Sequence, residues 1–333
     1  MHRAVPAHFN DPVGLALRLA RSGPDARFSM FLAGLSLAAA PVDALLAARE
    51  RRLYHDADAP QLPILVVCGP ARSGTSVVAR TIARALPVAF FTNITGVFPN
   101  SPIVASRLFR AYPRGELLNL RSHYGRSSGF HGWNDGLHFW DRWLGGDRTS
   151  VRSEIDPERG QAMVRFLGAF ERWTGRPLAT KNNNLIAHAS QVARYLPSVH
   201  FVCLDRDPLF LAQSLLRARA HIHGDTTKPY GLHKPSQSDV LDPVADVCNQ
   251  VRFYQSLAAR QLAELGPERF RILGYGEFCR DPGRIIRTLA SDVLRVPVDE
   301  TRIPDRLEES RTQLLPDEEF RRLRREFDSG NTA

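Results

Sequence analysis

Lysine is nearly absent from this chain: Lys181, Lys228 and Lys234 stand alone in a total of 44 Lys+Arg. Almost all the positive charge is arginine, so a lysine kept in that background marks a place where a point charge on a mobile stem serves better than a planar fork. Cysteine is scarce as well. The four thiols, Cys68, Cys203, Cys248 and Cys279, show no CxxC spacing, which excludes a disulfide scaffold and predicts buried free thiols in a reducing cytoplasm. The opening MHRAVPAHFNDPVG lacks the basic-then-apolar order of a secretory signal. Long hydrophobic runs are also missing. The most apolar stretch, residues 28 to 53, is broken by Pro41 and Asp43, short of the roughly 20 residues that span a bilayer. It is expected as a helical pair docked on the protein, with a peripheral membrane contact as the alternative.

What is present suits a globular α/β protein: 333 residues, 43% hydrophobic, with a net charge of +9. That charge favours anionic partners. The basic residues are scattered and do not form an aromatic-interleaved stripe, so nucleic acid is not the expected partner.

Residues 1–58 read as a helical N-terminal extension ending in the polar YHDADAPQLP. The main α/β domain is expected over 59–298, with a charged helix and tail over 299–333. PILVVC (63–68) is a continuous β-branched run that suits a strand buried on both faces. VAFF (88–91), PLATK (177–181), VHFVCL (199–204) and FRILGY (270–275) also read as strands. Helical patterns lie between them, which predicts a parallel sheet in three α/β/α layers. The Gly-, His- and Trp-rich stretch 112–158 fits neither period and is expected as loops or short helices near a site.

The most informative segment is VVCGPARSGTSVVAR (66–80). Gly69 and Gly74 have the spacing of the phosphate loop G-x-x-x-x-G-K-[ST], but Thr75 stands where lysine belongs. Backbone amides in such a turn, backed by a helix N-terminus, cradle an anion. With Arg72 inside the loop and no lysine, the site suits a small terminal anion better than a metal-bound triphosphate.

GPARSGTS resembles the 5′-phosphosulfate-binding loop of sulfotransferases that use 3′-phosphoadenosine 5′-phosphosulfate (PAPS). Arg72, Ser73, Gly74, Thr75 and Ser76 match its pattern. YLPSVHFVCLDRDPLFLAQSLLRAR (195–219) is similar to the family's second signature. The resemblance implies that Arg206 and Ser214 bind the 3′-phosphate. Lys181, closing PLATK, resembles the lysine that assists sulfonate transfer in relatives of the tyrosylprotein and bacterial enzymes, although Asn182, Asn183 and Asn184 follow where a proline is usual. Tyr275, Glu277, Asp281 and Pro282 echo a later family element. The resemblance spans about 63 to 295 and implies a P-loop NTPase-like sulfotransferase fold, PAPS as co-substrate and no metal.

A proton acceptor is not evident. Tyrosylprotein-type relatives carry a glutamate about twenty residues beyond the loop, where this chain reads FFTNITGVFPN. The candidates are His123, His131, Asp135, His138 and Asp141. In a helical NDGLHFWDRW, Asp135 and His138 would share a face and the carboxylate would orient the imidazole. His188 is a further candidate, and Trp133, Trp140 and Trp143 form either a stacking wall or core. The acceptor expected is a carbohydrate or lipid-linked glycan hydroxyl. The rival readings are a nucleotide kinase, disfavoured by Thr75, and a non-enzymatic binder of an anionic polymer or membrane.

Overall fold

The computed structural model describes residues 12–21, 23–55, 57–115, 118, 129–152, 154–234 and 242–329. Four of the β-branched and apolar runs pair as one parallel sheet: β1 (Ile64–Cys68), β2 (Leu178–Lys181), β3 (Val199–Asp205) and β4 (Phe270–Gly274), in the order β2-β1-β3-β4. Ile64 sits opposite both Leu178 and Val199, and Phe201 opposite Phe270. Successive side chains of β1 feed two different cores. Ile64, Val66 and Cys68 belong to one cluster, Leu65 and Val67 to the other, which is why this strand is apolar at every position.

The helices are α1 (Pro12–Arg21), α2 (Pro24–Ala38), α3 (Ala40–His55), α4 (Thr75–Ala85), α5 (Asn93–Val97), α6 (Pro102–Leu108), α7 (Leu137–Leu144), α8 (Pro157–Thr174), α9 (Leu185–Tyr195), α10 (Pro208–His223), α11 (Pro243–Leu265), α12 (Tyr275–Arg280), α13 (Pro282–Thr288) and α14 (Asp317–Ser329). Side chains from α8, α9, α10 and α11 fill the first cluster; α4 and α13 fill the second. The sheet is thus covered on both faces.

A repeated dipeptide starts four of these helices. Asp156-Pro157, Asp207-Pro208, Asp242-Pro243 and Asp281-Pro282 each put a carboxylate on the first free amides and a proline at the first turn, where its missing N–H is no loss. Asp207 accepts from Leu209 N at 3.0 Å; Asp281 accepts from Arg284 N at 2.9 Å. The aspartates of both family-like elements are therefore helix caps.

VAFF departs from expectation. It forms no strand; Ala89 alone bridges Leu178, and by Thr92 the chain has turned to bridge Trp133 in the antiparallel sense. After Thr288 the chain leaves α13 and continues as a π-helical turn, Leu289–Leu294.

The N-terminal helices are docked through buried carboxylates. Asp43, fully buried, accepts from Asn100 N (3.1 Å), Asn100 Nδ2 (2.8 Å) and Ser101 Oγ (2.7 Å). Glu50, also fully buried, accepts from Ile103 N (3.1 Å) and Val104 N (2.8 Å). Two acids of α3 therefore satisfy the amides at the start of α6, where negative charge is favoured. Burial pushes the Glu50 carboxyl up despite these bonds. At the other end of the chain, α14 buries Phe320 and Leu323, and Arg322 meets Asp242 at 2.6 Å.

Candidate functional site

Ligands of open parallel sheets bind beyond the carboxyl ends of the strands, and the candidate residues converge there. Gly69 follows β1, Lys181 closes β2, Arg206 follows β3 and Tyr275 follows β4. A cavity of about 370 Å³ opens at this edge, lined by Arg72, Gly74, Thr75, Ser76, Lys181 and Arg206 among others.

The loop's shape is fixed by two glycines and one strained arginine. Gly69 has φ 136°, and a Cβ there would lie 2.9 Å from Leu204 O on the neighbouring strand. Gly74 caps α4 at φ 98°; its Cβ would meet the Tyr275 ring at 2.3 Å. Arg72 takes φ 72°, a left-handed conformation that non-glycine residues seldom adopt and that costs of order 1–3 kcal/mol. Its carbonyl is held by Arg206 Nη1 at 2.8 Å, and its own Nε donates to Ser214 Oγ at 3.3 Å. Three residues selected from two separate motifs are thus in direct contact.

Arg206 is tied further by Nη2 to Ser310 O at 2.9 Å and lies over the Tyr275 ring at 5.7 Å. Its Nε is buried without a hydrogen-bond acceptor. Burial lowers the pKa of its guanidinium and the charge of Arg72 lowers it again, while Tyr275, Glu309 and Asp207 raise it. A desolvated donor with a second guanidinium beside it has the chemistry to receive an anion.

At the floor, Lys181 Nζ meets Asp135 Oδ2 at 2.7 Å, with the two side chains 8% and 5% exposed. Trp133 Nε1 donates to Asp135 Oδ1 at 2.8 Å. Asp135 is the one carboxylate among the described residues lining the cavity.

The residues after Lys181 each have a task. Asn182 Oδ1 accepts from Asn184 N at 2.8 Å, turning the chain into α9. Asn183 Oδ1 accepts from Thr75 Oγ1 at 3.0 Å and ties the β2 end to the loop. Asn184 Nδ2 reaches Arg148 O at 3.3 Å. A lysine at Thr75 could not make the Asn183 contact in this form.

Several expectations are corrected. The helix at Asp135 does not exist: α7 begins at Leu137 behind Gly136 in a left-handed conformation, so Asp135 and His138 share no helical face. Asp135 turns to Trp133 and Lys181, and His138 is not among the cavity's lining residues. Ser73 is wholly buried, and both its Oγ (2.8 Å) and N (3.2 Å) donate to Pro70 O; it closes the turn. Ser214 reaches the site through Arg72 and does not itself line the cavity.

Asp141 and His188 are engaged elsewhere. Asp141 binds Arg148 through both oxygens, at 2.9 and 2.6 Å. His188 sets Nδ1 2.9 Å from Asn184 O and accepts from Arg152 N at 3.1 Å through Nε2, and burial holds its pKa below the ordinary value. Both ring nitrogens are thus taken up in holding the fold. His131 does not line the cavity, and His123 lies outside the described residues. Trp133, Trp140 and Trp143 are core; Trp133 stacks on Phe90 at 5.4 Å.

Sequence reasoning missed Arg148, His223 and Tyr230, which also line the cavity. Burial, with Lys228, Arg18 and Arg219 nearby, keeps His223 below its usual pKa. No local spacing marks these three.

Residues 63–300 match the family model described as the sulfotransferase family. Among solved structures, sulfotransferase STF9 from Mycobacterium avium aligns with 98% of this chain and 83% of its own, at 16% identity and a TM-score of 0.50. Sulfotransferase STF1 from Mycobacterium tuberculosis aligns with 87% of this chain and 84% of its own, at 12% identity and 0.47. The sulfotransferase domain of the Synechococcus olefin synthase aligns with 82% and 96%, at 16% identity and 0.40. No curated protein matches the chain.

Proposed function

Because the chain belongs to the sulfotransferase family, we propose that it moves the sulfonate group of PAPS to an acceptor hydroxyl, with a carbohydrate or lipid-linked glycan as the favoured acceptor. The observation that carries the donor assignment is the contact between the two anion-binding elements: Arg72 of the loop lies 3.3 Å from Ser214 and accepts from Arg206. One small bis-anionic ligand would engage both, and the buried, acceptor-less Nε of Arg206 supplies a donor for it. The bound donor contributes an activated sulfonate whose leaving group is adenosine 3′,5′-bisphosphate.

In this reading the amides at the start of α4 and the Arg72 guanidinium hold the 5′ end, while Arg206 holds the 3′-phosphate and Ser214 acts through its bond to Arg72. Ser76 offers a hydroxyl donor from the cavity wall, and Thr75, whose hydroxyl is given to Asn183, braces the loop against the end of β2. Lys181 has three donors and gives one to Asp135, which leaves two to neutralise charge developing on the sulfonate and bridging oxygens. A carboxylate has about four acceptor positions, and Asp135 uses two. It takes the proton of the acceptor hydroxyl as the new S–O bond forms and the bridging S–O bond breaks. Most of the rate would come from positioning and fixed charge, as in phosphoryl transfer.

Titration calorimetry against adenosine 3′,5′-bisphosphate, ATP-Mg²⁺ and an oligonucleotide tests the donor assignment. The bisphosphate should bind, and Arg72→Ala and Arg206→Ala should each weaken it about tenfold or more, the value of one charged hydrogen bond. Tight ATP-Mg²⁺ binding with indifference to the bisphosphate would support the kinase reading. Radiolabelled sulfonate transfer to extracts identifies the acceptor.

A further inference from the structure

Between Phe28 and Ala48 the sequence contains one ionisable residue, Asp43, and Asp43 is turned inward to Asn100 and Ser101. The outer surface of this stretch is therefore uncharged. It is also strongly apolar, with Phe31, Leu37, Val42 and Leu45 at 54, 59, 46 and 78% exposure. These residues flank a bend of 70° between α2 and α3. Past the apolar elbow the charge is of one sign: among the described side chains of the two helices, the exposed ionisable residues are Arg27, Arg49, Arg51, Arg52 and His55. Val42, Leu45, Arg49 and Arg52 are spaced three, four and three apart, so α3 presents one outward face that passes from apolar to basic.

An apolar ridge that ends in arginines matches a bilayer surface, where the aliphatic groups enter the acyl boundary and long basic side chains reach back to the headgroups. The match is to anionic lipid, because no exposed acid among those side chains opposes it. Crossing the membrane is a different matter. Among the described residues no single helix is long and apolar enough to span, and the bent pair is fixed to the start of α6 by Asp43 and Glu50 and to α5 by Leu32, buried with Ile94 and Phe98.

We infer that the α2–α3 elbow is a docking surface for an anionic membrane, on which the protein lies without spanning it. This goes beyond the sulfonate-transfer reading and does not rest on it, since docking is measured with neither donor nor acceptor present.

Cosedimentation of the full chain with vesicles provides the test. Vesicles of phosphatidylcholine mixed with phosphatidylglycerol should bind it at least about tenfold more tightly than phosphatidylcholine alone, and added salt should erase the difference. Leu37→Gln with Leu45→Gln should weaken binding to the mixed vesicles about tenfold or more while leaving the melting temperature unchanged, because both side chains are exposed. Arg49→Gln with Arg52→Gln, on the same open face, should remove the preference for anionic lipid and serves if the first variant misfolds. Failure of the unaltered chain to bind mixed vesicles would overturn the inference. So would a dimer in sedimentation that Leu45→Gln dissolves, since a second copy would then cover the elbow.

Discussion

Asp135→Asn takes one charge out of a pair that little water reaches. Lys181 and Asp135 stand 2.7 Å apart with side chains 8% and 5% exposed, so the ammonium left behind would face an amide where it had a carboxylate. Breaking a buried pair from one side costs about 3–5 kcal/mol. Lys181→Met leaves the opposite defect, a carboxylate held by Trp133 Nε1 with no cation beside it. Each single substitution should lower the free energy of urea unfolding by that amount at neutral pH. The double variant removes both charges at once, so its loss should fall short of the sum by about 2 kcal/mol or more. Urea titrations of the four proteins, followed by circular dichroism, supply the cycle. Losses that add within about 0.5 kcal/mol would refute the claim that these groups hold one another.

Gly74→Ala would force a methyl to within 2.3 Å of the Tyr275 ring at φ 98°; bisphosphate binding should weaken by about tenfold or more, of the order such backbone strain allows, and unchanged affinity by calorimetry would show that the loop's close approach to Tyr275 is not needed. His188 prefers its neutral form in the fold, so below its ordinary pKa of 6.5 the unfolded chain binds more protons and stability should decline as pH falls through that window. Thermal midpoints measured from neutral to acid should record this decline, and His188→Gln should flatten the slope in part, since His221 and His223 are shifted in the same direction. Asp43→Ala strips acceptors from Asn100 N, Asn100 Nδ2 and Ser101 Oγ; a loss of about 1.5–3 kcal/mol or more is expected, with faster proteolysis of the N-terminal helices as the readout.

The sheet could be read from the sequence because β1 to β4 are short, largely apolar runs ended by glycine or charge, with β1 apolar and buried at every position. VAFF had the same composition and failed as a strand, since pairing depends on where the chain goes next, and Thr92 leads it away to Trp133. The loop and the RDP segment were legible as motifs, and Arg72, Arg206 and Ser214 do meet. Asp135 was found for a mistaken reason. Helical spacing suggested His138 as its partner, whereas the contact with Lys181 spans 46 positions and no local pattern encodes it. Arg148, His223 and Tyr230 stayed hidden for the same reason: they reach the cavity only through the way the elements pack.

All four cysteines are buried. Burial pushes the Cys68 thiol far up and that of Cys248 to about 12, so little thiolate is available to an alkylating reagent. A cysteine placed by Leu45→Cys would then be the single reactive handle on the protein. A maleimide dye or nitroxide fixed there could report on its surroundings, in a chain that keeps every native cysteine.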